Sequence, residues 1–461
     1  MLPYLTIKFI HILTNAVNSN LENINSEVDG VTVVVDNSSM GIIGLASTTS
    51  PNLKRQPGSL IKPILCYAPC FENGILSPIS PILDEKVSYG TWTPENVDGK
   101  TEGWITTREA LSKSKNTCAV KALEYVGLDN AKIYARKMGI EFTKEDNHLA
   151  LALGAMRNGI SPIKMAACYS SFANDGKFSD CKFIKKIEDK NGNIIYNNSL
   201  EKRKVFSEDT AYLISDVLKD TIKNGTAKKL GSLNVTLSAK TGTVGVKNNS
   251  ENTDAWCASY NKNYTVCSWV GNTTGNSKKN LKKEINGGTV TANISKDIWQ
   301  YLSKYENKWL EKPTTIKTAD IDLTDLKEKH VVNLASDNAP DRYKTSDVFS
   351  LKYLPKNTSK NFHKPTSPKL LVKNIDNELN FYWQINNQES YDIYENNKLL
   401  AKNISSPFST PLKNGENSYH LVAKNKLSKQ ETKSNVISLF KETDKKENNI
   451  IKNIAKKWLF G

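Results

Sequence analysis

Histidine and methionine are scarce in this chain, five of each, and few of its 63 basic residues are arginine. None of the seven cysteines stands in a CxxC pair or in a Cys/His ligand spacing, which argues against a structural zinc site. An odd number of thiols cannot all pair. Cys66 and Cys70, four apart in an apolar helical stretch, read as small buried hydrophobes. Cys257 and Cys267 flank a predicted turn at Asn261 to Asn263 and could face each other, yet unpaired thiols are the expectation. Long apolar runs are missing too. The opening "MLPYLTIKFIHILTNAV" resembles a signal or anchor, but Lys8 and His11 interrupt it and it falls short of the ~20 residues a span requires. No segment visibly crosses a membrane.

What is present suits a globular protein of two to four domains: 461 residues, 38% apolar, with a formal charge of +15. The excess charge is spread along the chain as lysine. It reads as a solvated face that favours anionic surroundings such as nucleic acid, an anionic cell wall or a lipid surface, without naming one.

"GVTVVVDNSSMGIIGLAST" from Gly30 is a β-hairpin pattern. A helix is predicted from Ser59 to about Phe71. "TTREALSKSKNTCAVKALEYVG" reads as one helix up to Gly127, followed by "AKIYARKMGI" and by "ISPIKMAACYSSFANDG" from Ser161-Pro162. Asn191-Gly192 marks a hairpin turn, and Ser207 the N-cap of another helix. Strands "LSAKTGTV", "DAWCASY" and "YTVCSWVG" and a helix in "ISKDIWQYLSKYENKWL" close the domain near Leu310. Strands, then helices, then strands predict an α+β fold with helices packed on an antiparallel sheet. The predicted division is residues 1–312, a β-rich connector 313–364, a small β-sandwich 365–440, and a basic amphipathic tail 441–461.

Chemistry centres on "RQPGSLIK". A Ser-x-x-Lys pair puts hydroxyl and amine on one helix face, so the amine can take the hydroxyl proton. Ser59 to Lys62 is one of several such pairs, Ser112, Ser179 and Ser199 opening others, so the pair alone carries little. Pro57-Gly58 singles it out by placing Ser59 at a helix start, where its own N–H is free. Downstream stand Ser114-x-Asn116 and Lys240-Thr241-Gly242-Thr243, the latter holding the chain's single Lys-Thr-Gly.

The trio S-x-x-K, S-x-N and K-T-G, with "RQPGS", "LALALGAMRNGISPIKMAACYSSFANDG", "KTGT" and "DAWCASYNKNYTVCSWVG", resembles the transpeptidase domain of class A penicillin-binding proteins over about Tyr4 to Leu310. The segment from Pro365 resembles a fibronectin type III module. The resemblance implies a β-lactamase/transpeptidase-like fold, opened by a strand and helix in "YLTIKFIHILTNAV", and a serine D-Ala-D-Ala transpeptidase. It makes Ser59 the nucleophile and Lys62 its base, with a pKa lowered by burial and by the charge of Lys240. Ser114 would relay the proton to the leaving amine, and Asn116 would bind Lys62 and the substrate amide. Lys240, Thr241 and Thr243 would hold the substrate carboxylate. Gly242 would admit the substrate backbone, and the N–H groups of Ser59 and Thr243 would form the oxyanion hole. No metal, cofactor or nucleic-acid partner is implied. The partners would be peptidoglycan stem peptides as donor and acceptor, β-lactams as covalent inhibitors, and a separate glycosyltransferase, since the anchor and glycosyltransferase domain of class A proteins are not expected in this chain. The place would be the extracytoplasmic face of the plasma membrane or the cell wall. A DD-carboxypeptidase, or an inactive wall-binding paralogue, fits the same residues. Lys115 stands where a class A β-lactamase has the Asp of S-D-N.

Overall fold

The computed structural model describes residues 7–22, 24, 28–197, 199–246, 250–274 and 280–442. It divides into two compact units, one of residues 1–319, 330–332 and 346–354, the other of 320–329, 333–345 and the residues from 355 on. The 313–364 segment thus contributes to both.

The first unit is built on an antiparallel sheet of β1 (Asp29–Asp36), β2 (Gly41–Ser47), β3 (Ser238–Gly245), β4 (Glu251–Tyr260) and β5 (Tyr264–Gly271), in the order β3-β4-β5-β1-β2. β1 is a near-continuous valine run because both of its faces are covered. Val31, Val33 and Val35 join Trp256, Trp269, Leu60, Tyr169 and Phe172 in one core. Val34 joins Val266, Val270, Phe9, Leu13 and Trp299 in the other. Helices Ile7–Glu22 and Ala292–Leu302 cover that second face. The first face carries the helical block, including Thr107–Ser112, Asn116–Val126, Leu128–Lys137, Pro162–Ala173 and Glu208–Lys223. Ser161 caps its helix by accepting from the Lys164 N–H, with Pro162 in the first turn, and Ser207 accepts likewise from Thr210. The strand expected before the first helix falls on residues 1–6, outside the described residues.

The alternation of faces decides the cysteine question. Register pairs Cys257 with Ser268 and Cys267 with Ala258, so the two thiols project to opposite faces, Cys257 into the second core and Cys267 into the first. All seven cysteines are free, and Cys66 and Cys70 are buried as expected.

The second unit contains two antiparallel sheets, Leu371–Ile375, Glu378–Tyr382 and Phe408–Pro411 against Lys398–Ala401, Glu389–Glu395, Gly415–Asn425, Glu431–Lys433 and Ile437–Lys441. Leu379, Phe381, Ile393, Tyr419 and Leu421 fill the space between them. The predicted basic tail lies, from residue 443, outside the described residues. Among the described residues no helix is long and apolar enough to cross a membrane.

Candidate active site

The segment before Ser59 is pinned to the sheet at each step. Arg55 pairs with the buried Asp254 of β4, Nε to Oδ1 at 2.6 Å and Nη2 to Oδ2 at 3.2 Å. Arg55 also exchanges backbone hydrogen bonds with Ile160, and the Trp256 indole donates to the Gln56 carbonyl at 2.9 Å. Gly58 then turns the chain at φ +53°, a left-handed value that favours glycine. A methyl there would lie 2.7 Å from the Thr243 carbonyl oxygen and 3.0 Å from its nitrogen. Ser59 follows inside a short 3₁₀ turn, Gly58–Leu60, whose N-cap is Pro57 and which no side chain caps. Ser59 is therefore within the first turn and does not cap it. Ser59 lines an open cleft of about 740 Å³. The turn continues through Lys62 into Pro63–Tyr67 and the α-helix Ala68–Glu72, and Tyr169 donates to the Leu60 carbonyl at 2.8 Å.

Ser114 and Asn116 were expected within one helix. Instead the chain breaks between Thr107–Ser112 and Asn116–Val126, with Ser114 at φ +61°. The break turns the Ser114 hydroxyl towards two buried amines: Lys240 Nζ donates to it at 2.8 Å and Lys62 Nζ reaches it at 3.3 Å. Lys62 also donates to the Ser114 carbonyl and to Asn116 Oδ1, both at 2.7 Å. The Asn116 amide nitrogen donates one of its two hydrogens to the Glu95 carbonyl at 2.7 Å. Glu95 thereby fixes which end of the amide meets Lys62.

Residues that sequence reasoning passed over hold this corner. Asn96 Oδ1 accepts from the Asn116 N–H at 2.7 Å and so caps the second helix from outside it. Its own nitrogen donates to the buried Asp84 at 2.7 Å. Thr117 donates to the same Asp84 oxygen. Lys115 pairs with Glu102 at 2.9 Å, Asp98 at 3.4 Å and Asp84 at 3.5 Å. No local pattern announces contacts twenty residues apart. The sole signal was "PEN", a turn-former just ahead of the helical block.

Burial brings Lys62 from the usual lysine value to about 7. Burial and then the neighbouring Lys62 charge push Lys240 well below the usual value. The depression of Lys62 is first of all a matter of desolvation. A cleft in which both amines titrate low offers a neutral base and a second amine that an incoming carboxylate would recharge.

On β3, Lys240 and Gly242 face the helical block, while Thr241 and Thr243 line the cleft with Ser59 and Ser114. Thr241 Oγ1 meets Thr226 Oγ1 at 2.5 Å, and Thr243 Oγ1 accepts from the Gly287 N–H at 3.2 Å. Gly242 also serves an approach within the protein. A methyl on it would lie 2.5 Å from the Pro57 carbonyl oxygen, so its bareness admits the nucleophile's own turn. The eight residues named from sequence therefore converge: Ser59, Ser114, Thr241 and Thr243 at the cleft, Lys62 and Lys240 on Ser114, Asn116 on Lys62, and Gly242 against Pro57 and Leu60 on either side of Ser59.

The chain matches the penicillin-binding protein transpeptidase domain over residues 30–300. It is 33% identical over 283 residues to penicillin-binding protein 1F of Bacillus subtilis, covering 59% of this chain and 39% of that protein. It is 30% identical over 326 residues to penicillin-binding protein 1A/1B of the same organism, covering 68% of this chain and 35% of that protein. The chain therefore spans well under half the length of these relatives. Among solved structures, PonA1 of Mycobacterium tuberculosis aligns with a TM-score of 0.60 at 19% identity, covering 67% of this chain and 86% of that one. Penicillin-binding protein 1A of Haemophilus influenzae aligns at 0.61 and 22%, covering 72% and 55%. These structural likenesses bear on the fold, which is that of penicillin-binding transpeptidase domains.

Proposed function

Because the chain belongs to the penicillin-binding protein transpeptidase family, we propose that it is a serine DD-transpeptidase that cross-links peptidoglycan stem peptides through a Ser59 acyl-enzyme. The observation that carries this reading is the Ser114 hydroxyl held between the Lys62 and Lys240 amines, at 3.3 and 2.8 Å, in a cleft that Ser59 lines.

Neutral Lys62 takes the Ser59 proton as Oγ adds to the penultimate D-Ala carbonyl. The oxyanion that forms is held by the N–H groups of Ser59 and Thr243, each donor typically worth ~3 kcal/mol. The proton passes through Ser114 Oγ to the amide nitrogen, the C–N bond breaks, and the last D-Ala departs as an amine. A second amine, from a neighbouring stem peptide, then attacks the ester and frees Ser59. Lys240 with the Thr241 and Thr243 hydroxyls holds the terminal carboxylate of the donor, the negative charge restoring a proton to Lys240. β-Lactams acylate the same serine.

In this reading residues 1–312 are the transpeptidase domain, and the 365–440 sandwich is a fibronectin type III-like spacer or wall-contact module. The protein acts outside the plasma membrane, with glycosyltransferase activity as its partner in wall synthesis. Labelling with fluorescent penicillin tests the assignment: labelling of the wild type, lost in Ser59→Ala and Lys62→Ala, is expected. Labelling that survives Ser59→Ala sinks it. Release of free tetrapeptide in place of cross-links would make the enzyme a carboxypeptidase, and no labelling at all an inactive paralogue.

A further inference from the structure

A second cavity, of about 380 Å³, opens where β3 ends, and Gly245 lines both it and the main cleft. Its charged lining is basic: Lys54, Arg55 and Arg157 stand around Gly159, Val244 and Gly245, against the single carboxylate of Asp254. Arg55 is committed to Asp254, at 2.6 Å. The other two cations have weak partners. Lys54 reaches Glu141 at 3.3 Å and Arg157 reaches Glu145 at 3.7 Å, and all four of those side chains are more than half exposed. Exposed pairs of this kind exchange readily for a better-placed anion.

The order of groups along β3 gives the direction of a bound donor. If Lys240 holds the terminal carboxylate and Thr243 the oxyanion, the residues before the acylated one run antiparallel to β3, from Thr243 towards Gly245. At ~3.4 Å per residue, the two preceding residues fall opposite Val244 and Gly245, at the mouth of the basic cavity. We propose that Arg157 and Lys54 form a carboxylate subsite that selects donor peptides bearing an acidic group on one of the two residues before the acylated D-Ala. This rests on the transpeptidase reading above. Arg157 supplies the planar fork suited to a carboxylate, and Lys54 a point charge.

The test uses the full chain and D-Ala-D-Ala peptides in matched pairs, with glutamate or glutamine at the first or second position before the acylated residue. Release of D-alanine is followed with glycinamide in excess as acceptor. The wild type is expected to prefer at least one glutamate peptide in kcat/KM by roughly tenfold, about the worth of one charge-assisted hydrogen bond. In Arg157→Gln and in Lys54→Gln the ratio within that pair falls towards one, and 0.5 M salt reduces it in the wild type. Each ratio is taken within one protein, so partial loss of folding does not alter it. A wild type with no preference, or a preference that both variants keep, overturns the subsite. Fluorescent penicillin run in parallel separates the two failures: labelling without preference removes only the subsite, and no labelling removes the parent reading with it.

Discussion

Asp254 on β4 holds Arg55, 199 residues earlier, by two hydrogen bonds at 2.6 and 3.2 Å, and also accepts the Trp269 indole N–H at 3.0 Å. Two strands of the sheet thus grip the chain just ahead of the nucleophile. Trp256, two residues further on, repeats the grip on Gln56. Asp254→Asn keeps the shape and removes the charge, leaving a mostly buried guanidinium unpaired. A loss of about 2–4 kcal/mol is expected in urea unfolding. Penicillin acylation under native conditions should slow as well, because the turn that presents Ser59 loses its tie.

The same contacts explain which parts of the sequence could be read. "RQPGS", "GAMRNGIS" and "DAW" stood out as phrases, and each is one side of a contact with another: Arg55 with Ile160 and Asp254, Gln56 with Trp256. Words fixed by mutual contact stay recognisable together. Helix caps and the Asn191-Gly192 turn, with Gly192 at φ +83°, were legible because their cause is local. The break at Ser114 was not, since "ALSKSKNTCAV" holds no glycine or proline and every local preference in it allows a continuous helix. What ends the helix there is tertiary: the outside cap from Asn96 and the two amines that meet the Ser114 hydroxyl. Cys257 and Cys267 stay unpaired, as expected, because a one-residue offset of register sends them to opposite faces.

The glycines that admit the nucleophile's turn give a graded prediction. Gly242→Ala places a methyl 2.5 Å from the Pro57 oxygen, and Gly58→Ala places one 2.7 Å from the Thr243 oxygen on a backbone already left-handed. Each should cost about 2–3 kcal/mol or more and abolish penicillin labelling at room temperature. Gly245→Ala, whose methyl would find nothing closer than 3.8 Å, should fold with a melting temperature near that of the wild type. Equal losses at all three positions would show that strand flexibility, not the close approach, sets the requirement.

If Lys62 is the base, it must be neutral, and its value near 7 places the rise. The rate of penicillin acylation is expected to climb as pH passes through about 7. Asn116→Asp puts a carboxylate where Oδ1 now accepts from Lys62 at 2.7 Å. The charged amine is then favoured, and the rising limb should move to higher pH by one unit or more. Stopped-flow acylation from pH 5.5 to 9 measures both curves, and a limb that stays in place in the variant removes Lys62 from the base role.

Stability carries the same titration with its own sign. In the unfolded chain Lys62 has the ordinary value of 10.5, in the folded protein about 7. Below pH 7 both states bind the proton, and folding must bury a charge. Between 7 and 10.5 the unfolded state holds a proton that the folded state has released, so stability rises with pH across that window. Each unit is worth about 1.4 kcal/mol, so the whole effect is at most several kcal/mol. Lys62→Met has no such titration. The difference in unfolding free energy, wild type minus Lys62→Met, should therefore grow in favour of the wild type from pH 7 to pH 9.5 and stay flat from pH 5.5 to 6.5. Lys240→Met gives the companion measurement, because burial holds Lys240 well below its ordinary value too and its difference should likewise grow with rising pH. Urea midpoints at four pH values decide it. A difference that does not change with pH would mean that both amines stay charged in the folded protein, and the proton transfer from Ser59 would then need another base.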